Sequence, residues 1–470
     1  MAGPALEKGL KQRHLTMIAI GGVIGAGLFV GSGTVLNGAG PGAFLTYALT
    51  GLLIVLVMRM LGEMAVANPS TGSFADYSRQ AMGNWAGFSV AWLYWYFWVI
   101  VVGFEAVAGA KVVQYWLPDT PAWLIALVLM ILMTATNLFS VGSYGEFEYW
   151  FASIKVFAII AFLLMGVLFV LGVFGQGDGV RNLTAHGGFF PKGTGVMFVS
   201  IVTVIFSMVG AEIATVAAAE SANPEEGVTK AVNSVVWRIL LFYVGSMFLL
   251  ACILPWNMQE LADKQSPYVL AFKEIGIPYA DQIMNAVVLT AVLSCLNSGL
   301  YTASRMLFVL ASRREAPSLM LKTSSRGVPM WAILGSSIVG FLSVIAAYVW
   351  PDTVFDFLLN SSGAIILFVY MMIAISQLIL RRRHGAEDLK VKMWGFPVLT
   401  VLAILGMLAV LVAMAVDPVN RSQITLGLLS WGVSLVIFFL VVSRQKNYDG
   451  QPQIDEHEVS TQLSGHMHDA

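Results

Sequence analysis

Three ionisable side chains lie within otherwise apolar stretches of the sequence: Glu105, Lys155 and Glu212. A charge at bilayer depth costs about 2.5 kcal/mol or more, and residues that carry one usually serve a function. Glu212 is too far from either end of its stretch to reach water, so we expect it to face a cavity or a partner. This makes it the first candidate for proton coupling or gating. The alternative is a protonated carboxyl that is hydrogen-bonded to a backbone carbonyl.

Lys155 and Glu105 each allow two interpretations. Lys155 lies near the expected cytoplasmic end of its stretch, where its long stem could extend to the interface. If it is buried instead, it becomes a candidate proton carrier. Glu105 comes late in its stretch, close to the expected outer interface, and is either a gate residue or a solvated carboxylate.

A glycine-rich run covers residues 21–33, within the first apolar stretch. Each glycine weakens a helix by roughly 1 kcal/mol relative to alanine. We therefore expect the helix to unwind at bilayer depth, where freed peptide groups must line a cavity. The alternative is close helix packing, because the pairs Gly21/Gly25 and Gly27/Gly31 fit the G-x-x-x-G pattern.

A weaker interruption covers residues 206–212, where Gly210 lies two residues before Glu212. The two interruptions fall in the first and sixth apolar stretches, which open two successive sets of five. Interrupted helices at corresponding places in two halves indicate a transporter that is built from inverted repeats. The last two stretches would then be additions to a ten-helix core.

Such a site suits a small zwitterion. Exposed N–H groups at helix starts bind a carboxylate, and freed carbonyls at helix ends accept an ammonium group. We assign the carboxylate to the backbone of Ile24, Gly25, Ala26 and Gly27. The amine is assigned to the carbonyls of Phe206, Ser207 and Val209. Phe206 is either a gate over the substrate or a plain packing residue.

The elements that position these residues follow from composition. Of 470 residues, 58% are hydrophobic and 11% are charged, against about a quarter charged in a soluble domain. This excludes a soluble globular protein, and the net charge of −1 provides no basic field for nucleic acid. Stretches long enough to span a bilayer predict twelve transmembrane helices at residues 15–36, 43–65, 85–110, 121–140, 150–173, 195–219, 239–255, 282–304, 328–350, 357–380, 396–416 and 424–443.

The Lys and Arg residues fall mostly in the tails and the even-numbered loops, which places both termini in the cytoplasm. The predicted segments are a cytoplasmic N-terminal segment (1–14), the ten-helix core (15–380), a basic cytoplasmic loop (381–395), two further helices (396–443) and a disordered cytoplasmic tail (444–470). We read the histidines of the tail as part of that disorder and expect no metal or other cofactor.

Near the expected cytoplasmic end of the second stretch, Arg59 and Glu63 lie four residues apart and so on one helical face. An ion pair between them is one interpretation, and we favour separate anchoring at the interface. No catalytic cluster, appended domain or nucleotide-binding loop is evident, so we expect neither an enzyme nor an ATP-driven pump. No obligate protein partner is expected.

Several motifs then resemble a known family. They are Ala39-Gly40-Pro41, Gly62-Glu63 with Pro69 six residues after the Glu, Trp92-Leu93-Tyr94-Trp95, Tyr144-Gly145-Glu146-Phe147-Glu148, Ala217-Ala218-Ala219-Glu220-Ser221 and Ser294-Cys295-Leu296-Asn297-Ser298. The chain resembles the amino acid permeases of the amino acid-polyamine-organocation superfamily through all twelve stretches. This resemblance implies an all-α polytopic membrane protein with a LeuT-like 5+5 inverted repeat, interrupted helices 1 and 6, and two extra helices.

Within that family the chain is most similar to bacterial 4-aminobutyrate permeases, which import that amino acid with protons across the cytoplasmic membrane. The resemblance implies a substrate site lined by residues 25–27 and 206–210, with Lys155 where proton-coupled relatives have a fifth-helix lysine. Ala26 stands where many relatives have Ser, so the side-chain hydroxyl is missing and only backbone contacts to the substrate remain at this position. By the same resemblance Cys295, Asn297 and residues 361–363, Ser361 among them, line the pocket, with small-residue packing as the alternative. The substrate could instead be proline or an aromatic or basic amino acid. The transporter could also be an exchanger on the same fold.

Overall fold

The computed structural model describes residues 24–68, 73–139, 141–173, 179–212, 224–324, 327–385, 389, 391–418, 420–445 and 448–451. Within these ranges every regular element is a helix. The α-helices are α1 (Ala26–Phe29), α2 (Gly31–Ala39), α3 (Ala43–Ala67), α4 (Ser73–Met82), α5 (Asn84–Val113), α6 (Ala122–Phe139), α7 (Val141–Val170), α8 (Asn182–Ala185), α9 (Gly195–Met208), α10 (Pro224–Arg238), α11 (Ser246–Ile253), α12 (Gln259–Ala262), α13 (Pro267–Ile275), α14 (Ala280–Ser312), α15 (Met330–Val349), α16 (Val354–His384), α17 (Val398–Val416) and α18 (Arg421–Leu440). A π-helical segment (Ile239–Gly245) joins α10 to α11, and 3-10 turns cover Gly40–Gly42, Ser318–Leu321 and Val442–Arg444.

Ten segments of the described chain are long and apolar enough to cross a membrane, which confirms the predicted all-helical, polytopic class. The first of them, Ala26–Ala67, has 42 residues and contains α1, α2 and α3. One crossing needs only about 20 residues. The 3-10 turn at Gly40–Gly42 divides this segment in two.

Helix α5 forms the centre of the bundle. Apolar residues lie on all its sides, as expected of a helix that is buried on all sides. It packs against α14, α15 and α16, and 83% of its most apolar part is buried, against 17% for Arg421–Arg444. Side chains on α5 therefore lie deep in the protein, whereas α18 is peripheral.

The sixth predicted stretch is interrupted beside Glu212. Helix α9 ends at Met208, Val209 is extended, and Gly210 has a φ of 99°. That left-handed conformation favours glycine. Helical conformation resumes at Ala211, so the break lies within the predicted interruption.

In the first stretch, helix α1 begins at Ala26 after the extended residue Gly25. Residues 1–23 lie outside the described part of the chain. The first half of the predicted first span, including Gly21 and Gly22, is therefore not described, and only the later side of this interruption can be compared with the prediction.

The end of α3 is held by a buried carboxylate. Glu63 accepts hydrogen bonds from Arg381 at 2.7 Å and from Gln377 at 2.8 Å, both on α16. Arg59 instead donates to the carbonyl of Lys392 at 2.7 Å. Glu63 is 3% exposed, so the favoured interpretation of separate anchoring at the interface is wrong for this residue. The possible ion pair with Arg59 is replaced by the contact of Glu63 with α16.

Candidate functional site

A small cavity lies where α1, α5, α9 and α14 meet. It is lined by Gly25, Gly27, Phe97, Trp98, Val101, Glu105, Phe206, Ser207, Val209 and Cys295. Its volume of about 20 Å³ is enough for about one water molecule. Binding an amino acid here therefore requires the walls to move apart.

The charged group in the cavity wall is the carboxylate of Glu105. The N–H of Ala26 lies 3.1 Å from each of its oxygens. This N–H opens α1 and has no partner within the helix, and the start of a helix favours negative charge. Glu105 thus occupies the donor that the sequence analysis assigned to the substrate carboxylate. Its side chain is 1% exposed, so the alternative of a solvated carboxylate is wrong.

Two glycines allow the backbone to come close at this point. A Cβ atom on Gly25 would lie 2.5 Å from Oε1 of Glu105 and 2.6 Å from Cβ of Cys295. A Cβ atom on Gly27 would lie 2.9 Å from Cα of Ser207. Gly25 therefore gives Glu105 access to the backbone, whereas Gly27 supports close packing of α1 against α9.

Glu212 binds a partner and does not line the cavity. Its carboxylate accepts hydrogen bonds from the N–H of Gly210 at 3.0 and 3.1 Å. It also accepts from the hydroxyls of Tyr94 at 3.1 Å and Tyr370 at 3.0 Å. This one side chain links the interruption to α5 and α16. Of the two surroundings expected for Glu212, a cavity or a partner, the structure shows partners, and all of them are hydrogen-bond donors. The alternative, a protonated carboxyl that donates to a backbone carbonyl, does not fit these contacts.

Lys155 is fully buried, and its Nζ lies 3.7 Å from Oε1 of Glu148, which is also fully buried. The Ser294 hydroxyl donates to the same carboxylate oxygen. Helix α7 begins at Val141, nine residues before the predicted span, which places Lys155 in the middle of the helix. Lys155 is therefore buried and not an interfacial side chain, and its role as a proton carrier stays a prediction.

The remaining predicted site residues fall into two groups. Ile24 and Ala26 are fully buried beside the cavity, and Cys295 lines it. Ser361 is buried but is not among the lining residues. Asn297 is bonded to Asn137 at 2.7 Å. These last two positions favour the packing alternative.

Gly363 also belongs to the packing group. A Cβ atom there would lie 2.3 Å from the carbonyl oxygen of Val202 on α9. The small-residue run at 361–363 therefore permits α16 to approach α9 closely and does not reach the cavity.

Sequence reasoning missed three lining residues on α5, namely Phe97, Trp98 and Val101. A signal for them was present, because Trp98 and Val101 precede Glu105 by seven and four residues and so share its helical face. Glu148 was missed as a partner for Lys155, since it lies two residues before the predicted stretch, 150–173.

The comparisons with known proteins show which family the chain resembles. The family model described as "Amino acid permease" matches residues 14–448. The chain is 53% identical over 447 residues to the "Gamma-aminobutyric acid permease" of Bacillus subtilis, covering 94% of each chain. It is 46% identical to the protein of the same name from Escherichia coli, covering 91% of this chain and 93% of the relative. It is 39% identical to the "Aromatic amino acid transport protein AroP" of Corynebacterium glutamicum, covering 93% and 96%.

These relatives are named as permeases or transport proteins, not as enzymes. The match covers nearly the whole chain, and the apolar helices of the fold are those of a multi-pass membrane protein. The chain therefore belongs to the amino acid permease family.

Proposed function

We propose that this permease imports 4-aminobutyrate together with protons across the bacterial cytoplasmic membrane. The observation that carries the substrate assignment is the identity of 53% and 46% to two relatives that are named for gamma-aminobutyric acid, each over more than nine tenths of the chain. Gamma-aminobutyric acid and 4-aminobutyrate are the same compound. The cavity supports this assignment, because it combines a helix-start N–H with carbonyls at the end of another helix.

The proton is coupled through Glu105 in this proposal. While Glu105 is ionised it holds the N–H of Ala26, and an entering carboxylate would meet a like charge. Protonation of Glu105 removes that charge and weakens its hold on the donor, so the substrate carboxylate can take the N–H. Loss of the proton on the cytoplasmic side returns Glu105 to Ala26 and displaces the substrate.

The substrate ammonium binds at the end of α9 in the same proposal. The last carbonyls of a helix carry partial negative charge, and Phe206, Ser207 and Val209 line the cavity at this end. Phe206 also covers the bound substrate, so it serves as the gate.

Two further groups complete the proposed coupling. The Lys155–Glu148 pair reaches the cavity wall through Ser294, which is adjacent to Cys295. Lys155 would hold or pass a proton there. Glu212 would sense the position of the interrupted helix, because it bonds to Gly210 in the interruption and to Tyr94 and Tyr370 on the neighbouring helices.

We further propose twelve crossings in a LeuT-like 5+5 inverted repeat with two additional helices. Dividing Ala26–Ala67 at its 3-10 turn and adding α9 to the ten spanning segments gives that number. Both termini lie in the cytoplasm, as the distribution of Lys and Arg indicates.

The test is uptake of labelled 4-aminobutyrate by the purified chain in proteoliposomes, with and without an inward proton gradient. We expect accumulation only with the gradient and without any added protein. Accumulation that ignores the gradient would rule out proton symport. Release of internal substrate only in exchange for external substrate would show an exchanger.

A second candidate is an aromatic amino acid. The relative named for aromatic transport is 39% identical, and Phe97, Trp98 and Phe206 line the cavity. Unlabelled phenylalanine, proline and arginine in excess should leave uptake of labelled 4-aminobutyrate unchanged. Inhibition by phenylalanine as strong as that by unlabelled 4-aminobutyrate would favour this candidate.

A further inference from the structure

A continuous series of aromatic rings runs from the cavity towards the beginning of α16. Phe206 in the cavity wall contacts Phe104 edge-on, with ring centroids 4.8 Å apart. Phe104 contacts Phe355, with centroids 5.0 Å apart. All three rings are buried. We refer to Phe206, Phe104 and Phe355 as the aromatic column.

The far end of the aromatic column carries an ion pair. Nζ of Lys264 lies 3.0 Å from Oδ2 of Asp356, and the two side chains are 21% and 39% exposed. The same ammonium group lies 6.0 Å from the centroid of the Phe355 ring, within the range of a cation–π contact. The aromatic column therefore reaches from the cavity to a partly exposed pair of charges.

Lys264 belongs to a loop that also contacts α1 and α2. The Ser266 hydroxyl donates to the carbonyl of Phe29 at 2.6 Å, and Gly33 faces the carbonyl of Gln265. Lys264 itself has a φ of 63°, a conformation that is uncommon for a residue other than glycine. The loop thus connects the helix that opens the site to α16, and the ion pair is its charged contact with α16.

We propose that Lys264 and Asp356 form an outer latch, which holds the aromatic column closed over the cavity and must open each time substrate enters. The outer position rests on the proposed orientation of the chain, in which this loop faces the outside. A partly exposed ion pair stabilises the closed state only slightly relative to the open state. That suits a contact which breaks in every cycle, and its loss should change the open fraction about two- to fivefold.

The two cysteines of the chain provide a direct test. Cys295 lines the cavity, whereas Cys252 is buried on α11. In a Cys252→Ser background, the rate at which a membrane-impermeant maleimide labels Cys295 from the outside reports opening of the aromatic column. We expect Lys264→Gln and Asp356→Asn each to raise this rate about two- to fivefold, without a second increment in the double variant.

Matched variants separate the latch from a general loss of charge. Lys264→Arg should label as slowly as the parent, and so should Lys273→Gln, which removes an exposed lysine from the next helix. The exchange of charges in Lys264→Asp with Asp356→Lys should restore slow labelling. Unchanged labelling in both Lys264→Gln and Asp356→Asn would overturn the latch.

The same variants in inside-out vesicles test the orientation. An increase seen only there would overturn the outer assignment. The labelling assay does not depend on the solute carried, so failure of 4-aminobutyrate uptake with the expected labelling pattern would remove the proposed substrate and leave the latch.

Discussion

At the scale of single residues, Glu105 and the substrate carboxylate require the same donor in the proposed mechanism. The N–H of Ala26 is bonded to Glu105, and the cavity has room for about one water molecule. Binding of substrate is therefore a replacement of one carboxylate by another. The charge of Glu105 then decides which of the two holds the site.

Glu105→Gln should make substrate binding independent of pH and abolish accumulation driven by a proton gradient. The amide keeps an oxygen for Ala26 but cannot change its charge, so we expect at least a tenfold loss of gradient-driven uptake with binding retained. Calorimetric titration between pH 5 and 8 measures the binding, and Glu274→Gln at the exposed surface is the control. Wild-type accumulation in Glu105→Gln would remove Glu105 from the coupling.

Lys155→Met should leave Glu148 buried without its cation and destabilise the protein by about 3–5 kcal/mol. Combining it with Glu148→Gln removes both charges, so much of that loss should be recovered. Thermal unfolding in detergent measures the recovery, and uptake against pH in the double variant measures coupling. Strong gradient-driven uptake in the stable double variant would show that the pair serves structure alone.

Residue types and apolar stretches singled out Glu105, Lys155 and Glu212, but they did not predict the partners of these residues or the burial of Glu63, Glu148 and Glu315. Glu105, Lys155 and Glu212 were found from the sequence because each interrupts a hydrophobic run. Glu148 was not, because α7 begins nine residues before the predicted stretch. Tyr370 is 158 positions from Glu212, a separation at which periodicity gives no information about contact.

At the scale of elements, the two predicted interruptions approach each other closely at Gly27. Gly27 on α1 approaches the backbone of Ser207 on α9. The glycine run and Gly210 predicted where the helices weaken. The close approach between them could not be predicted, because it depends on the relative placement of α1 and α9.

Gly27→Ala should destabilise the protein by about 1–3 kcal/mol, because its Cβ atom would lie 2.9 Å from a backbone atom that cannot easily move. Gly38→Ala on α2 is the matched control, since no atom lies within 4 Å of its Cβ position. That control should be neutral or slightly stabilising. Equal melting temperatures for the two variants would contradict the close packing of α1 against α9.

At the scale of the whole molecule, the chain after α18 contacts distant parts of the fold, among them α4 and the segment that follows α14. The Tyr448 hydroxyl donates to Glu315 at 2.6 Å, and Arg79 of α4 forms an ion pair with the same carboxylate at 2.8 Å. Arg313 donates to the carbonyl of Gly450 at 2.9 Å. The sequence predicts disorder from residue 444, yet Tyr448 and Gly450 contact the rest of the fold. For residues 452–470, which lie outside the described part, it stays a prediction.

Tyr448→Phe should lower the free energy of unfolding by about 1–3 kcal/mol, because it leaves the buried Glu315 carboxylate without one of its donors. Burial already raises the pKa of Glu315. Tyr279→Phe, at a side chain that is 78% exposed, is the matched control and should change nothing. Denaturation in detergent monitored by fluorescence distinguishes the two. Unaltered stability in Tyr448→Phe would mean that this terminal segment is not held by the bond.

The bond between Glu105 and Ala26 also has a consequence for the empty carrier. A donor left bare so far from water would be costly, yet here the protein's own acid satisfies it whenever no solute is present. A symporter of the proposed kind must return to its outward-open state without substrate after each transport cycle. During that change, the N–H of Ala26 would remain hydrogen-bonded to Glu105.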